Sequence, residues 1–167
     1  WVGGVFSLSL PMKTITNELV PANVFDNVAF SILFDNESNA GSTVLARLKV
    51  SRPKDWACDL GHVVYGGGNT TFSNQHASAT HQGDKLGIAP RVAVDKVANQ
   101  IKLTYNASDL GIPSWRNSKV FISTWDITGE GMYREVAQQS SDWSFGGGHH
   151  NDAKIADAVS LVLAPQL

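Results

Sequence analysis

At 167 residues the chain has the length of one domain, and its charged fraction of 17% is low, with a net charge of −2. So weak a charge argues against nucleic acid as the main partner, because phosphate binding needs a basic surface. Eleven Asp against four Glu, with eleven Asn and 15 Gly, favour turns over helix interiors and so disfavour a helical bundle, and five Trp are many for this size.

Alternation marks the elements in chain order. Val5 to Leu10 reads as a strand that Pro11 ends. Thr14 to Asn27, with Pro21, reads mostly as loop. Val28 to Phe34 sets Val28, Phe30, Ile32 and Phe34 on one face and Ala29, Ser31 and Leu33 on the other, the pattern of a central, buried strand. A polar turn starting at Asp35 leads to Thr43 to Val50, and the pair reads as a β-hairpin. Trp56 to Tyr65 is the next strand, broken by Gly66-Gly67-Gly68-Asn69. Thr70 to Pro90 reads as a polar loop, long enough to suggest function or mobility. Arg91 to Asp95 and Gln100 to Tyr105 alternate again around a turn at Lys96 to Asn99. Ala107 to Gly111 reads as a short helical turn, Lys119 to Asp126 as a strong strand, and Tyr133 to Gln138 as a short partner strand. Trp143 to Gly148 leads into a glycine-rich loop, and Asp157 to Leu163 closes the chain as a strand. The sum is all-β: one antiparallel β-sandwich of jelly-roll type with about eight strands, spanning 1–167 as a single domain.

Chemical motifs are scarce. The chain has no nucleophile elbow, zinc-protease motif, P-loop or dinucleotide fingerprint. No pair of carboxylates stands out for glycoside hydrolysis. Both glycine triplets, 66–68 and 146–148, read as loop hinges. Cys58, the single cysteine, reads as a small buried apolar residue. No run of eighteen apolar residues occurs, so no membrane-spanning helix is expected. His149 and His150 are neighbours that face opposite ways on extended backbone, which weakens a zinc or copper site built from them with His76 or His81. Oxygen donors gather at Asp35 and Asn36, with Asp126 at another strand end, and Asp35, Asn36 and Asp126 are the candidate ligands of a structural Ca2+. No organic cofactor is expected. A haem site would have only Met12 and Met132 as thioether ligands.

The aromatic residues are the most informative set. Indole rings stack on sugar faces, and Asn, Asp and Gln bond hydroxyls, a mixture suited to a neutral polyhydroxylated ligand; core filling is the competing role. Trp115, after Pro113, reads as the most exposed candidate. Trp125 and Trp143 follow, then Trp56 and Tyr65.

The second half carries a recognisable order: Asn106-Ala107-Ser108-Asp109-Leu110-Gly111, a Trp-containing turn, Val120 to Asp126, Gly129, Gly131, Tyr133-Arg134-Glu135-Val136, Trp143-Ser144-Phe145-Gly146-Gly147-Gly148 and Ile155-Ala156-Asp157. From about Asp26 to Pro165 it resembles the C-terminal module of glucodextranases and of related amylases and pullulanases. Ile127 and Thr128 depart from the pattern, as does the long Thr70 to Pro90 segment. The resemblance implies a carbohydrate-associated β-sandwich, related to DOMON-type and family 9 carbohydrate-binding sandwiches. It implies a non-catalytic, secreted module attached to a parent glycoside hydrolase and bound to an α-glucan such as starch, pullulan or dextran. It also matches Asp35 and Asp126 to the family's acidic positions. The alternative is a structural or cell-surface anchoring sandwich without sugar affinity.

Overall fold

The computed structural model describes residues 3–35, 60–73, 76, 83–141, 144–149 and 155–164. Among them run β1 (Val5–Pro11), β2 (Val28–Asp35), β3 (Leu60–Tyr65), β4 (Gly68–Ser73), β5 (Lys85–Leu86), β6 (Arg91–Asp95), β7 (Gln100–Asn106), β8 (Lys119–Asp126) and β9 (Ile155–Val162). Every pairing is antiparallel. One sheet has the order β1-β7-β6, the other β5-β4-β3-β2-β8-β9. They form a β-sandwich.

The inner faces supply the core. Val28, Phe30, Ile32 and Phe34 of β2, with Val120 and Ile122 of β8, pack against Phe6 and Leu8 of β1 and against Ile101, Leu103 and Tyr105 of β7. All eight residues of β2 are buried, as expected of a strand central in its sheet. Its outer side belongs to a second, smaller cluster of Ala29, Trp125 and Ile127, with Tyr65, Tyr133 and Ile155 against it.

Three expectations change. The proposed hairpin partner of β2, Thr43 to Val50, lies outside the described residues; β2 itself is paired with β3 on one edge and β8 on the other. The polar stretch after Tyr65 is not all loop. Gly66 and Gly67 form a two-residue hairpin turn, and Gly68–Ser73 returns beside β3. Glycine is required there: a Cβ at Gly66 would lie 2.2 Å from the Phe25 carbonyl, and one at Gly68 would lie 2.3 Å from the Tyr65 ring. The returning strand escapes the hydrophobic pattern because its inward residues are polar and hydrogen-bonded. Thr71, fully buried, donates its hydroxyl to the Ile88 carbonyl, and Asn69 Nδ2 donates to the Pro90 carbonyl at 2.8 Å. Finally, Tyr133 to Gln138 is not a strand. Tyr133 bridges Ile127, and the chain beyond it folds back on its own glycine-rich segment.

Candidate functional site

The two sheets differ in width, and that difference makes the site. β1 is an edge of the narrow sheet and β9 an edge of the wide one. The narrow sheet stops short of β9, so the inner face of β9 is open. Val159 and Leu161 are 47% and 38% exposed, whereas their partners on β8, Ile122 and Val120, are buried. Between the two edges lies a cleft of about 410 Å³, floored by Leu10, Met12, Phe30 and Ile122 and rimmed by Lys13, Thr124 and Asp157. It shares Met12, Val28 and Phe145 with a second cavity of about 140 Å³, whose rim carries Thr14, Thr16, Ser141 and Ser144.

Phe145, half-buried, belongs to both cavities and is held there by Asp126. The Asp126 carboxylate is fully buried at the end of β8. Its Oδ1 accepts Arg134 Nε at 3.0 Å and Nη2 at 2.5 Å, while Oδ2 accepts the Phe145 backbone N–H at 2.9 Å. Residues 137–141 and 144–148 then lie against each other: Ala137 N–H donates to the Phe145 carbonyl and Gly148 N–H to the Ala137 carbonyl, both at 2.9 Å. The glycine triplet is what this closeness requires. A Cβ at Gly146 would lie 2.3 Å from the Ser140 nitrogen, and one at Gly148 would lie 2.0 Å from the Val136 carbonyl oxygen.

The residues picked out from sequence do not converge. Trp115 is a core residue with 0% exposure, its ring 5.5 Å from Phe6 and 5.3 Å from Phe34, and its Nε1–H donates to the Gly4 carbonyl at 2.7 Å. Trp125 is equally buried, on the other face of the wide sheet, donating to Ser123 Oγ at 2.9 Å. Neither offers an accessible ring face, which corrects both as stacking platforms. Tyr65 also lies on that other face, its ring packed on Gly67, Gly68 and Gly131. Trp56 and Trp143 lie outside the described residues; Ser144, which follows Trp143 in sequence, and Ser141 line the second, 140 Å³ cavity rather than the cleft itself. Phe145 does not stand out among the indole rings in the sequence; what marks it there is its place directly before the glycine triplet.

The proposed calcium ligands are also separated. Asp35 pairs with Lys119 and Asp126 with Val28, at opposite ends of β2. Seven residues of strand place them ~23 Å apart. Each already faces a cation: Lys119 Nζ stands 3.5 Å from Asp35, and Arg134 holds Asp126. No single ion can bridge the two. Asn36 lies outside the described residues.

His62 sits deep between the sheets with both ring nitrogens engaged, Nδ1 at 2.7 Å from the Tyr105 hydroxyl and Nε2 at 2.6 Å from Asn69 Oδ1. Since Asn69 donates to Pro90, its Oδ1 accepts from Nε2–H, and Tyr105 O–H donates to Nδ1. Burial lowers the His62 pKa to about 4, partly offset by the Asn69 hydrogen bond, and burial raises that of Tyr105. This neutral chain leaves His62 no free lone pair for a metal.

Residues 10–167 match the family described as the C-terminal binding module, SLH-like, of glucodextranase. The chain belongs to that family. It is a family of binding modules, not of catalytic domains. No curated protein matches the chain. Among the described residues no helix is long and apolar enough to cross a membrane.

Proposed function

We propose that this chain is a non-catalytic carbohydrate-binding module of a secreted α-glucan-active enzyme, and that the sugar chain lies in the cleft between β1 and β9. What carries the reading is an open cleft, floored by apolar side chains, rimmed by hydroxyl and charged groups and entered by an aromatic ring, in a member of a binding-module family. Sugar rings present apolar C–H faces and a belt of hydroxyls. Phe145 supplies a face for the former, with Trp143 two residues before it in sequence. Thr124, Asp157 and Lys13 supply partners for the latter. Nothing covalent happens at such a site; the module holds its parent enzyme near polymer, and repeated weak contacts add avidity.

Affinity electrophoresis through gels containing starch, pullulan or dextran tests this directly. The wild-type module is retarded by at least one of them. Phe145→Ala and Trp143→Ala each weaken retardation about tenfold or more, on the scale of one lost aromatic contact. A module retarded by none of the three is not an α-glucan binder and falls to the anchoring role. Retardation that survives both substitutions moves the site away from the cleft.

A further inference from the structure

A pocket of about 230 Å³ lies at the other end of β1 from the cleft, and the two share no lining residue. Val5 in this pocket and Leu10 in the cleft are five strand residues apart, ~17 Å. The floor is the end of the narrow sheet. Its register opposes Arg91 to Thr104 and Val5 to Asn106. Ile101, Leu103 and Tyr105 of β7 turn into the core, so alternation turns Thr104 and Asn106 outward, with their opposed partners beside them. The walls are Ile88, Ala89 and Pro90 before β6, and Asp109 and Leu110 after β7. Both walls are held from behind. Thr71, fully buried, donates to the Ile88 carbonyl, and Asn69 Nδ2 donates to the Pro90 carbonyl at 2.8 Å. Ala107 N–H donates to the Gly4 carbonyl and Ile112 N–H to the Ala107 carbonyl, both at 2.9 Å. The pocket is therefore shaped before any ligand enters it. Its polar groups are unspent. Arg91 and Asp109 line it together, yet neither side chain forms an ion pair or a hydrogen bond with a described residue. Asn106 Oδ1 accepts Ser108 Oγ at 3.1 Å, which leaves its amide N–H groups for a ligand.

We propose that this pocket binds one neutral hexopyranose ring, at a site separate from the cleft. The lining pairs one positive side chain with one negative one. A ligand charge of either sign would meet repulsion from one of them as well as attraction from the other. A neutral polyol avoids that conflict: its hydroxyls accept from Arg91 and donate to Asp109, both as charge-assisted hydrogen bonds. Its C–H face can rest on Val5 or Ile88, which are 38% and 42% exposed. The volume falls below the ~300–1,000 Å³ of sites for drug-sized ligands, which suits a single ring. With the cleft, the pocket gives the module two separate grips on a polymer, and two weak grips multiply.

Backbone amide NMR of the whole chain is the test, with methyl α-glucoside, methyl α-mannoside and methyl α-galactoside each added to about 50 mM. At least one of them shifts the amides of Ile88, Ala89, Arg91 and residues 104–110, with a dissociation constant on the order of 1–10 mM. Arg91→Ala and Asp109→Ala each weaken that binding about tenfold or more, the scale of one lost charge-assisted hydrogen bond. Both variants melt with the wild type, since neither side chain has a described partner to lose. Phe145→Ala leaves these shifts unchanged, and the methyl glucuronide binds no tighter than the neutral glycosides. The proposal is overturned if no glycoside moves these amides, or if the shifts survive both Arg91→Ala and Asp109→Ala. A glucuronide that binds about tenfold tighter makes Arg91 an anion site and overturns it as well. Retardation in a polysaccharide gel while these amides stay silent overturns the pocket and leaves the cleft standing. Shifts here in a module that no gel retards do the reverse.

Discussion

His62 shows what one buried residue does to the chain's behaviour. Its neutral ring links Tyr105 of β7 to Asn69 of β4 and, through Asn69, to the Pro90 carbonyl, so one chain of hydrogen bonds spans both sheets. A proton on Nδ1 would displace the Tyr105 donor, and burial penalises the charge; the folded pKa falls to about 4 from 6.5. The unfolded chain takes up its proton near pH 6.5, the folded one not until near pH 4. Stability from this residue is therefore complete above pH 6.5 and is lost as pH falls through the window from 6.5 to 4. Between pH 7.5 and 5.0 the loss is about 2 kcal/mol. Urea unfolding at the two pH values measures it directly. His62→Gln is less stable at pH 7.5 but nearly flat over that range, whereas an equal slope in the variant would assign the effect to other groups. His62 was visible in the sequence as one of five histidines. Its role was not, because no pattern shows that the chain brings Tyr105, Asn69 and Pro90 around it.

Elements whose partners lie across a sheet were legible; elements held by side chains were not. β2, β6, β7 and β8 emerge from alternation within a residue of their ends, because each buries one or both faces of a pleated strand. β4 does not, since it turns Asn69 and Thr71 inward. Residues 133–141 and 144–148 do not either, since their order comes from Asp126, Arg134 and backbone contacts between glycines and their neighbours. This segment carries Phe145, so the proposed site depends on it. Asp126→Ala leaves the Phe145 N–H without its acceptor and Arg134 without its counter-charge. Because Arg134 is partly exposed, water recovers part of that loss, and the expected cost is about 2–3 kcal/mol. Gly148→Ala forces the Val136 carbonyl aside and loosens the same segment. Gly87→Ala, whose added Cβ meets nothing within 4 Å, serves as the neutral control. Chemical denaturation ranks the three. A Gly148→Ala variant as stable as Gly87→Ala would show that the backbone approach there is soft.

For the molecule as a whole, the unequal sheets decide where stability ends and binding surface begins. A three-stranded layer covers part of a six-stranded one, so residues paired across neighbouring strands meet different environments. Ile122 and Val159 face each other between β8 and β9, yet the first is 5% exposed and the second 47%. Sequence alternation marks both as inward and cannot separate them, because it reports the face of a strand and not the width of the opposing sheet. The same blindness placed Trp115 on the surface: its position after Pro113 looks like an exposed turn, but the turn folds its ring between Phe6 and Phe34. Truncation draws the boundary. Ile122→Ala removes packed atoms from the core and costs about 2–4 kcal/mol. Val159→Ala removes atoms already half in water and costs under about 1 kcal/mol. If the cleft is the binding surface, the two also divide in function: Val159→Ala weakens retardation in the polysaccharide gel while leaving the fold intact, and Ile122→Ala lowers the unfolding midpoint first. Equal stability losses at the two positions would mean that β9 is covered in solution and that the cleft is closed.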